Sequence, residues 1–136
     1  FSPLARGFLT NKLHDTSGLA EHDLRLTIPR FDANNYPANL SLLPAYVKLA
    51  QRQGCTPAQL ALAWVIAQGD NVIAIPGTHN LHHLEENIGA NDLVLNADVV
   101  AELNGLINQH TVHGERYGDR AQASVTTERF NVERLQ

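Results

Sequence analysis

The sequence is poor in features that would place it in several protein classes. It has no methionine, a single cysteine, and no apolar run near the ~20 residues that a membrane-spanning helix needs. One cysteine excludes an internal disulfide framework and favours a reducing compartment, so we predict a cytoplasmic location. Lys and Arg are scattered and the net charge is −4, which leaves no basic stripe for a nucleic-acid backbone. Because no methionine is present, we do not expect Phe1 to be a translation start, and we expect the chain to be part of a longer one.

The remaining composition is that of an ordinary globular protein. The chain has 136 residues, of which 43% are hydrophobic and 18% are charged. That length fits one domain, or half of a larger one.

The first third of the chain predicts a long ordered loop followed by a helix. Residues 1–39 are rich in Gly, Pro, Asn and Asp and have no sustained helical or strand period. Aromatic side chains within it favour packing over a solvated linker. Residues 40–53 carry an apolar face, so they predict an amphipathic helix that begins at Leu43 or Pro44 and is ended by Gly54.

A second helix and a strand are predicted to follow. Thr56 as N-cap, Pro57 in the first turn and Gln59 as capping-box partner predict a helix whose body, residues 58–68, is almost wholly apolar. Such a helix must be enclosed on more than one side. Residues 72–75 (VIAI) predict a short buried strand, whose backbone groups need partner strands.

Two further helices are predicted by their caps. Asn80 or Thr78 can cap a helix that runs through Ile88, and Asn96 can cap a last helix. The chain from Gly114 onward is polar and predicts little regular structure.

Two short segments could hold an anion. The junction at residues 75–80 combines a glycine, a hydroxyl and a helix start, which suits a phosphate, although a capped turn explains the same residues. Residues 1–7 combine an aromatic ring, a hydroxyl, a cation and a glycine, although an ordinary loop explains them as well.

Metal binding and nucleophilic catalysis are weaker hypotheses. His79, His82, His83 and Glu86 lie near one another in sequence, but histidines at the start of an exposed helix are usually solvated, so no metal site is predicted. Cys55 and Ser2 lack an evident activating base, and we interpret both as structural.

Taken in order, the motifs resemble those of the aldo-keto reductases. They are FSPLARGFLT at residues 1–10, PRF at 29–31, GCTPAQLALAW at 54–64, IPGT at 75–78, LEEN at 84–87 and GERY at 114–117. The resemblance covers residues 1–117 and implies an α/β fold, the C-terminal half of a (β/α)₈ TIM barrel, mostly helical with a short buried parallel strand. It makes residues 1–39 the loop after strand 7, 40–69 two helices, 71–76 strand 8, 77–110 terminal helices and 118–136 a polar C-terminal tail.

The resemblance also implies a binding site for NADP(H) or NAD(H). Phe1 resembles the aromatic residue that stacks on the nicotinamide ring, and Ser2, Leu4 and Arg6 resemble the loop over the pyrophosphate. Gly77, Thr78, His79 and His83 resemble the segment near the adenosine ribose and its 2′-phosphate. Glu86 and Asn87 resemble the pair that contacts adenine. Many family members have Lys or Arg where this chain has His79, Asn80 and His83.

No catalytic residue is predicted in this chain. The family's catalytic Asp, Tyr, Lys and His belong to the other half of the barrel, and no segment here matches their motifs. The resemblance thus implies the cofactor-binding half of an oxidoreductase that reduces aldehydes or ketones by hydride transfer. We expect this chain alone to be inactive and the N-terminal half of the barrel to be its partner, with neither nucleic acid nor membrane involved.

Two other functions remain open at this point. The first is a non-catalytic, nicotinamide-sensing regulatory subunit of the channel-associated type, which the presence or absence of the four catalytic residues in the parent sequence would distinguish. The second is a helical interaction module, which would leave both loop motifs unexplained.

Overall fold

The computed structural model describes residues 1–125, and their regular structure is helical. The α-helices are α1 (Tyr36–Leu40), α2 (Leu43–Arg52), α3 (Pro57–Ile66), α4 (Leu81–Gly89), α5 (Ala97–Leu106) and α6 (Asp119–Gln122). Short 3₁₀ helices cover Ala5–Thr10, Leu24–Thr27, Pro29–Phe31 and Ala90–Asp92. Within residues 1–125, no helix combines the length and apolarity needed to cross a bilayer.

The chain folds into two compact units. Unit 1 consists of Phe1–His14 and Leu43–Leu106, and unit 2 consists of Asp15–Leu42 and the described part of Ile107–Gln136. Each unit combines segments that are distant in sequence.

The core of unit 1 is centred on α3. Its buried side chains include the consecutive residues 60–63, so α3 is covered on more than one side, as its uniform apolarity predicts. Tyr46 and Leu49 of α2 are also buried, and α5 adds Val99 and Leu103. Helices α2 and α3 both lie within residues 40–69, and α3 ends at Ile66, two residues before the predicted end of its body.

The predicted helix caps are confirmed. The Thr56 hydroxyl accepts a hydrogen bond from the Gln59 N–H at 3.1 Å, and the Gln59 side-chain oxygen accepts one from the Thr56 N–H at 3.1 Å. The Asn80 side chain accepts from the His83 N–H at 3.3 Å, and the Asn96 side chain accepts from the Val99 N–H at 2.9 Å. These side-chain oxygens satisfy N–H groups that have no partner within their own helix.

The short buried strand predicted over residues 71–76 is not confirmed. No strand occurs within residues 1–125, and the side chains of Ile73 and Ile75 are 81% and 62% exposed. A strand exists only through hydrogen bonds to a neighbouring strand. Apolar, β-branched composition suits a pleated, half-buried surface, but it does not supply that neighbour.

The predicted loop over residues 1–39 is ordered, but it is not free of helix. Phe8, Phe31 and Tyr36 are buried, as their aromatic character predicts, and the Phe31 and Tyr36 rings stack with centroids 5.4 Å apart. Helix α1 begins at Tyr36, inside the segment expected to be a loop. In the predicted polar tail, residues 118–136, α6 is helical, and residues 126–136 lie outside the described residues.

Asn39 connects three segments of unit 2. Its amide nitrogen donates to the carbonyl oxygens of Arg30 at 3.0 Å and His113 at 2.9 Å, and its oxygen accepts from the His113 N–H at 2.8 Å. The side chain is only 4% exposed. The burial of this polar side chain is therefore compensated by backbone partners up to 74 positions away.

We predict that Asn39→Ala lowers the free energy of unfolding by ~1–3 kcal/mol, because it removes three hydrogen bonds that join α1 to the backbone of Arg30 and His113. Chemical denaturation with a spectroscopic readout measures the change. Asn34→Ala is the matched control, since Asn34 is exposed, and it should change stability by less than ~0.5 kcal/mol. Equal effects of the two substitutions would contradict the assigned role of Asn39.

Candidate functional site

A cavity of about 570 Å³ in unit 1 brings together residues from the two sequence segments that make up that unit. It is lined by eight of the ten predicted cofactor-binding residues: Ser2, Leu4, Arg6, Gly77, Thr78, His83, Glu86 and Asn87. The other two, Phe1 and His79, do not line it, and Phe1 is 69% exposed. Two segments separated by about 70 residues in the sequence therefore form one cavity. The loop at residues 2–12 is its first wall, and residues 75–87 are its second wall.

The loop at the first wall owes its shape to unusual backbone angles. Ser2, Ala5 and Arg6 have φ values of 51°, 48° and 56°, in the left-handed region that non-glycine residues rarely adopt. Two N–H···O bonds of 3.0 Å, from Ala5 to Ser2 and from Gly7 to Leu4, close the successive turns. Left-handed residues of this kind persist where the surrounding structure holds them, and they cluster at functional sites.

The junction at the second wall is both a capped turn and part of the cavity. The Thr78 hydroxyl accepts a hydrogen bond from the Asn80 N–H at 3.1 Å, and Asn80 then caps α4. A Cβ atom added to Gly77 would meet no heavy atom within 4 Å, apart from those of its chain neighbours. Packing among residues 1–125 would therefore allow a larger residue than glycine at position 77.

The charge of the cavity is mainly positive. Arg6 and Lys12 are the basic residues of the lining, His83 adds an imidazole, and Glu86 is its acidic residue. Asn87 is only 8% exposed and brings a buried amide to the same wall. These groups suit a ligand that has anionic groups together with neutral hydrogen-bonding ones.

Seven further residues line the cavity, and four of them, Pro3, Gly7, Ile75 and Pro76, belong to the two segments that the sequence analysis considers as anion sites. Sequence reasoning missed the other three, Thr10, Lys12 and Ala58. Lys12 is the most informative of them because it is charged. Asn11, at φ 57°, turns the chain immediately before it. Asparagine adopts left-handed angles more readily than most residues, so Asn11 is a local signal for the turn. No local signal shows that this turn places Lys12 at a cavity.

Neither a metal-binding cluster nor an activated thiol is found among residues 1–125. Within residues 1–125, no three His, Cys, Asp or Glu side chains come together in a way that could hold a metal ion. The Cys55 thiol donates to the Ala50 carbonyl at 3.6 Å, and burial raises its pKa, which disfavours the reactive thiolate. The Tyr46 hydroxyl donates to the Pro57 carbonyl at 2.6 Å, and burial raises its pKa as well.

Comparison with known proteins identifies the family. Residues 1–108 match the sequence profile of the Aldo/keto reductase family. The chain is 38% identical over 116 residues to aldo-keto reductase str7 of Strobilurus tenacellus, a match that covers 85% of this chain and 34% of that protein. It is 39% identical over 117 residues to aldo-keto reductase yakc [NADP(+)] of Schizosaccharomyces pombe, covering 86% of this chain and 34% of that protein.

The chain therefore belongs to the aldo/keto reductase family. Membership implies the TIM-barrel fold, of which residues 1–125 form a helical part without strands. The chain spans about a third of the length of the curated relatives it matches.

Proposed function

We propose that the cavity binds NADP(H), or NAD(H), and that the chain is the cofactor-binding part of an oxidoreductase that reduces aldehydes or ketones. The observation that carries this proposal is the convergence of eight family-implied residues, from two distant segments, on one cavity. The family membership supports the reaction class.

The cavity fits such a cofactor in size and in chemistry. Its volume of about 570 Å³ lies within the range of roughly 300–1,000 Å³ that is usual for small-molecule sites. Arg6 and Lys12 suit the phosphates of a dinucleotide, because a cation and a phosphate form charge-assisted hydrogen bonds. The open space beside Gly77 would let a ligand approach the backbone closely.

Each wall has its own role in this proposal. Ser2, Leu4 and Arg6 bind the pyrophosphate. Gly77, Thr78 and His83 bind the adenosine ribose and its 2′-phosphate. Glu86 and Asn87 bind the adenine. Phe1 stacks on the nicotinamide ring and His79 assists at the ribose. The cofactor supplies the hydride, while this chain's residues bind and orient it.

The proposal includes the rest of the barrel as the partner of unit 1. Ile73, Ile75, Leu81, Leu84 and Ile88 are all 46% or more exposed, which supports a covering element in the intact protein. The match to only 34% of each relative supports a covering by the remaining barrel elements. Residues 71–76 would then pair as strand 8, with residues 1–117 as the barrel portion.

The single cysteine supports the cytoplasm as the location.

We predict that Gly77→Ala weakens NADPH binding about tenfold, or ~1.4 kcal/mol, because the added methyl group fills space that the cofactor needs. Quenching of protein fluorescence or calorimetry measures the dissociation constant, and thermal unfolding checks that stability is unchanged. Gly18→Ala is the matched control, because its Cβ also meets no heavy atom within 4 Å and Gly18 does not line the cavity. Unchanged affinity in Gly77→Ala would count against the site.

We predict that His83→Ala reduces the preference for NADPH over NADH and that His79→Ala changes it less, since only His83 lines the cavity. The reason is that an imidazole at the cavity can donate a hydrogen bond to the 2′-phosphate, which NADH lacks. Dissociation constants of both cofactors for the wild type and the two variants provide the test. A preference that survives both substitutions would assign 2′-phosphate recognition to Arg6 or Lys12.

We predict that the 136-residue chain alone does not reduce carbonyl compounds. Hydride transfer to a carbonyl needs a proton donor within hydrogen-bond reach, and no segment here matches the family's catalytic Tyr with its Lys and His partners. NADPH consumption with a panel of aldehydes and ketones should stay at background. Turnover by homogeneous material of verified mass would contradict this prediction.

A further inference from the structure

Gln59 connects the first turn of α3 with the cavity wall on α4. Its side-chain nitrogen donates to the Glu86 carbonyl oxygen at 3.1 Å, across 27 positions of sequence. Its side-chain oxygen simultaneously accepts from the Thr56 N–H at 3.1 Å in the capping box. The capping bond therefore orients the amide, so that its N–H₂ group points at α4.

Both helices that Gln59 joins contribute to the cavity. Ala58, the residue immediately before Gln59, lines it from α3, and Glu86 and Asn87 line it from α4. The hydrogen bond accepted by Glu86 therefore sets the distance between two parts of the cavity wall. Asn87, the next residue along α4, is only 8% exposed, so a shift of α4 would displace a buried amide.

Gly89 makes room for this contact. A Cβ atom at Gly89 would lie 2.9 Å from the Gln59 side-chain nitrogen, which is closer than real Cβ contacts. Positions 86 and 89 are three apart and share one face of α4. The Gln59 amide thus lies against that face, with its donor on the Glu86 carbonyl.

We propose that Gln59 is a positioning residue that holds Glu86 and Asn87 in place for the adenosine end of the cofactor. It does not line the cavity itself. The inference rests on the proposed function, and it adds a control on affinity that acts through the α4 backbone. A change at Gln59 should therefore alter ligand affinity without any loss of a ligand contact.

Gln59→Glu separates positioning from capping. A carboxylate oxygen still accepts the Thr56 N–H bond, and a negative charge in the first turn of a helix is favourable. The donor to the Glu86 carbonyl is lost, and an oxygen faces an oxygen. We expect the dissociation constants of NADPH and 2′,5′-ADP to rise about fivefold, the worth of roughly one hydrogen bond, while the thermal midpoint moves by less than ~2 °C.

Two more variants complete the test. Thr56→Ala removes the cap but keeps the Gln59 donor, so it should lower the thermal midpoint by about 4 °C and leave both dissociation constants within about twofold. Gly89→Ala, which favours helix but displaces the Gln59 amide, should weaken both ligands as Gln59→Glu does, with no loss of stability. It also tests the inference from the other side of the contact, should Gln59→Glu fail to fold.

The outcomes separate this inference from the proposed function. Wild-type protein that binds neither NADPH nor 2′,5′-ADP would overturn the proposed function and this inference with it. Wild-type binding that is unchanged in Gln59→Glu and Gly89→Ala would overturn the inference alone. Affinity that falls in Thr56→Ala in step with stability would also overturn it, because Gln59 would then act only through the cap.

Discussion

The first turn of α3 is the point on which unit 1 depends. Thr56 and Gln59 satisfy each other's backbone N–H groups there, the Tyr46 hydroxyl of α2 donates to the Pro57 carbonyl, and Gln59 reaches the Glu86 carbonyl of α4. A helix start has N–H groups without partners in the helix, so a cap is needed in any case. In this chain the first turn of α3 also connects α3 with α2 and α4. Ala58, which lines the cavity, belongs to the same turn.

The shape of the cavity comes from the backbone more than from side-chain bulk. Left-handed residues at Ser2, Ala5 and Arg6 fold the first loop onto one wall, and Gly77 leaves the opposite junction open. The side chains then supply charge, chiefly through Arg6 and Lys12. The cavity thus divides its tasks: the left-handed backbone sets its shape, and a few polar groups set its specificity.

Residues 72–75 illustrate how far a local pattern can be carried. The run is apolar and β-branched, which is typical of a buried strand, yet Ile73 and Ile75 are exposed and unpaired with any strand in residues 1–125. The pattern indicates that the segment suits burial between neighbouring strands, but it does not identify those strands. The relatives are about three times as long as the matched region, so the rest of the barrel is the proposed source of the strands.

Short-range sequence signals predict the starts of α3, α4 and α5, and the order of the motifs predicts the family. Thr56, Asn80 and Asn96 each cap a helix through a residue three positions away, so the bond and its signal lie in one short window. The place of Lys12 in the cavity, the start of α1 at Tyr36 and the bond from Gln59 to Glu86 are seen only in the folded chain. These features depend on backbone turns and on contacts between residues far apart in sequence, and no local residue preference encodes such contacts.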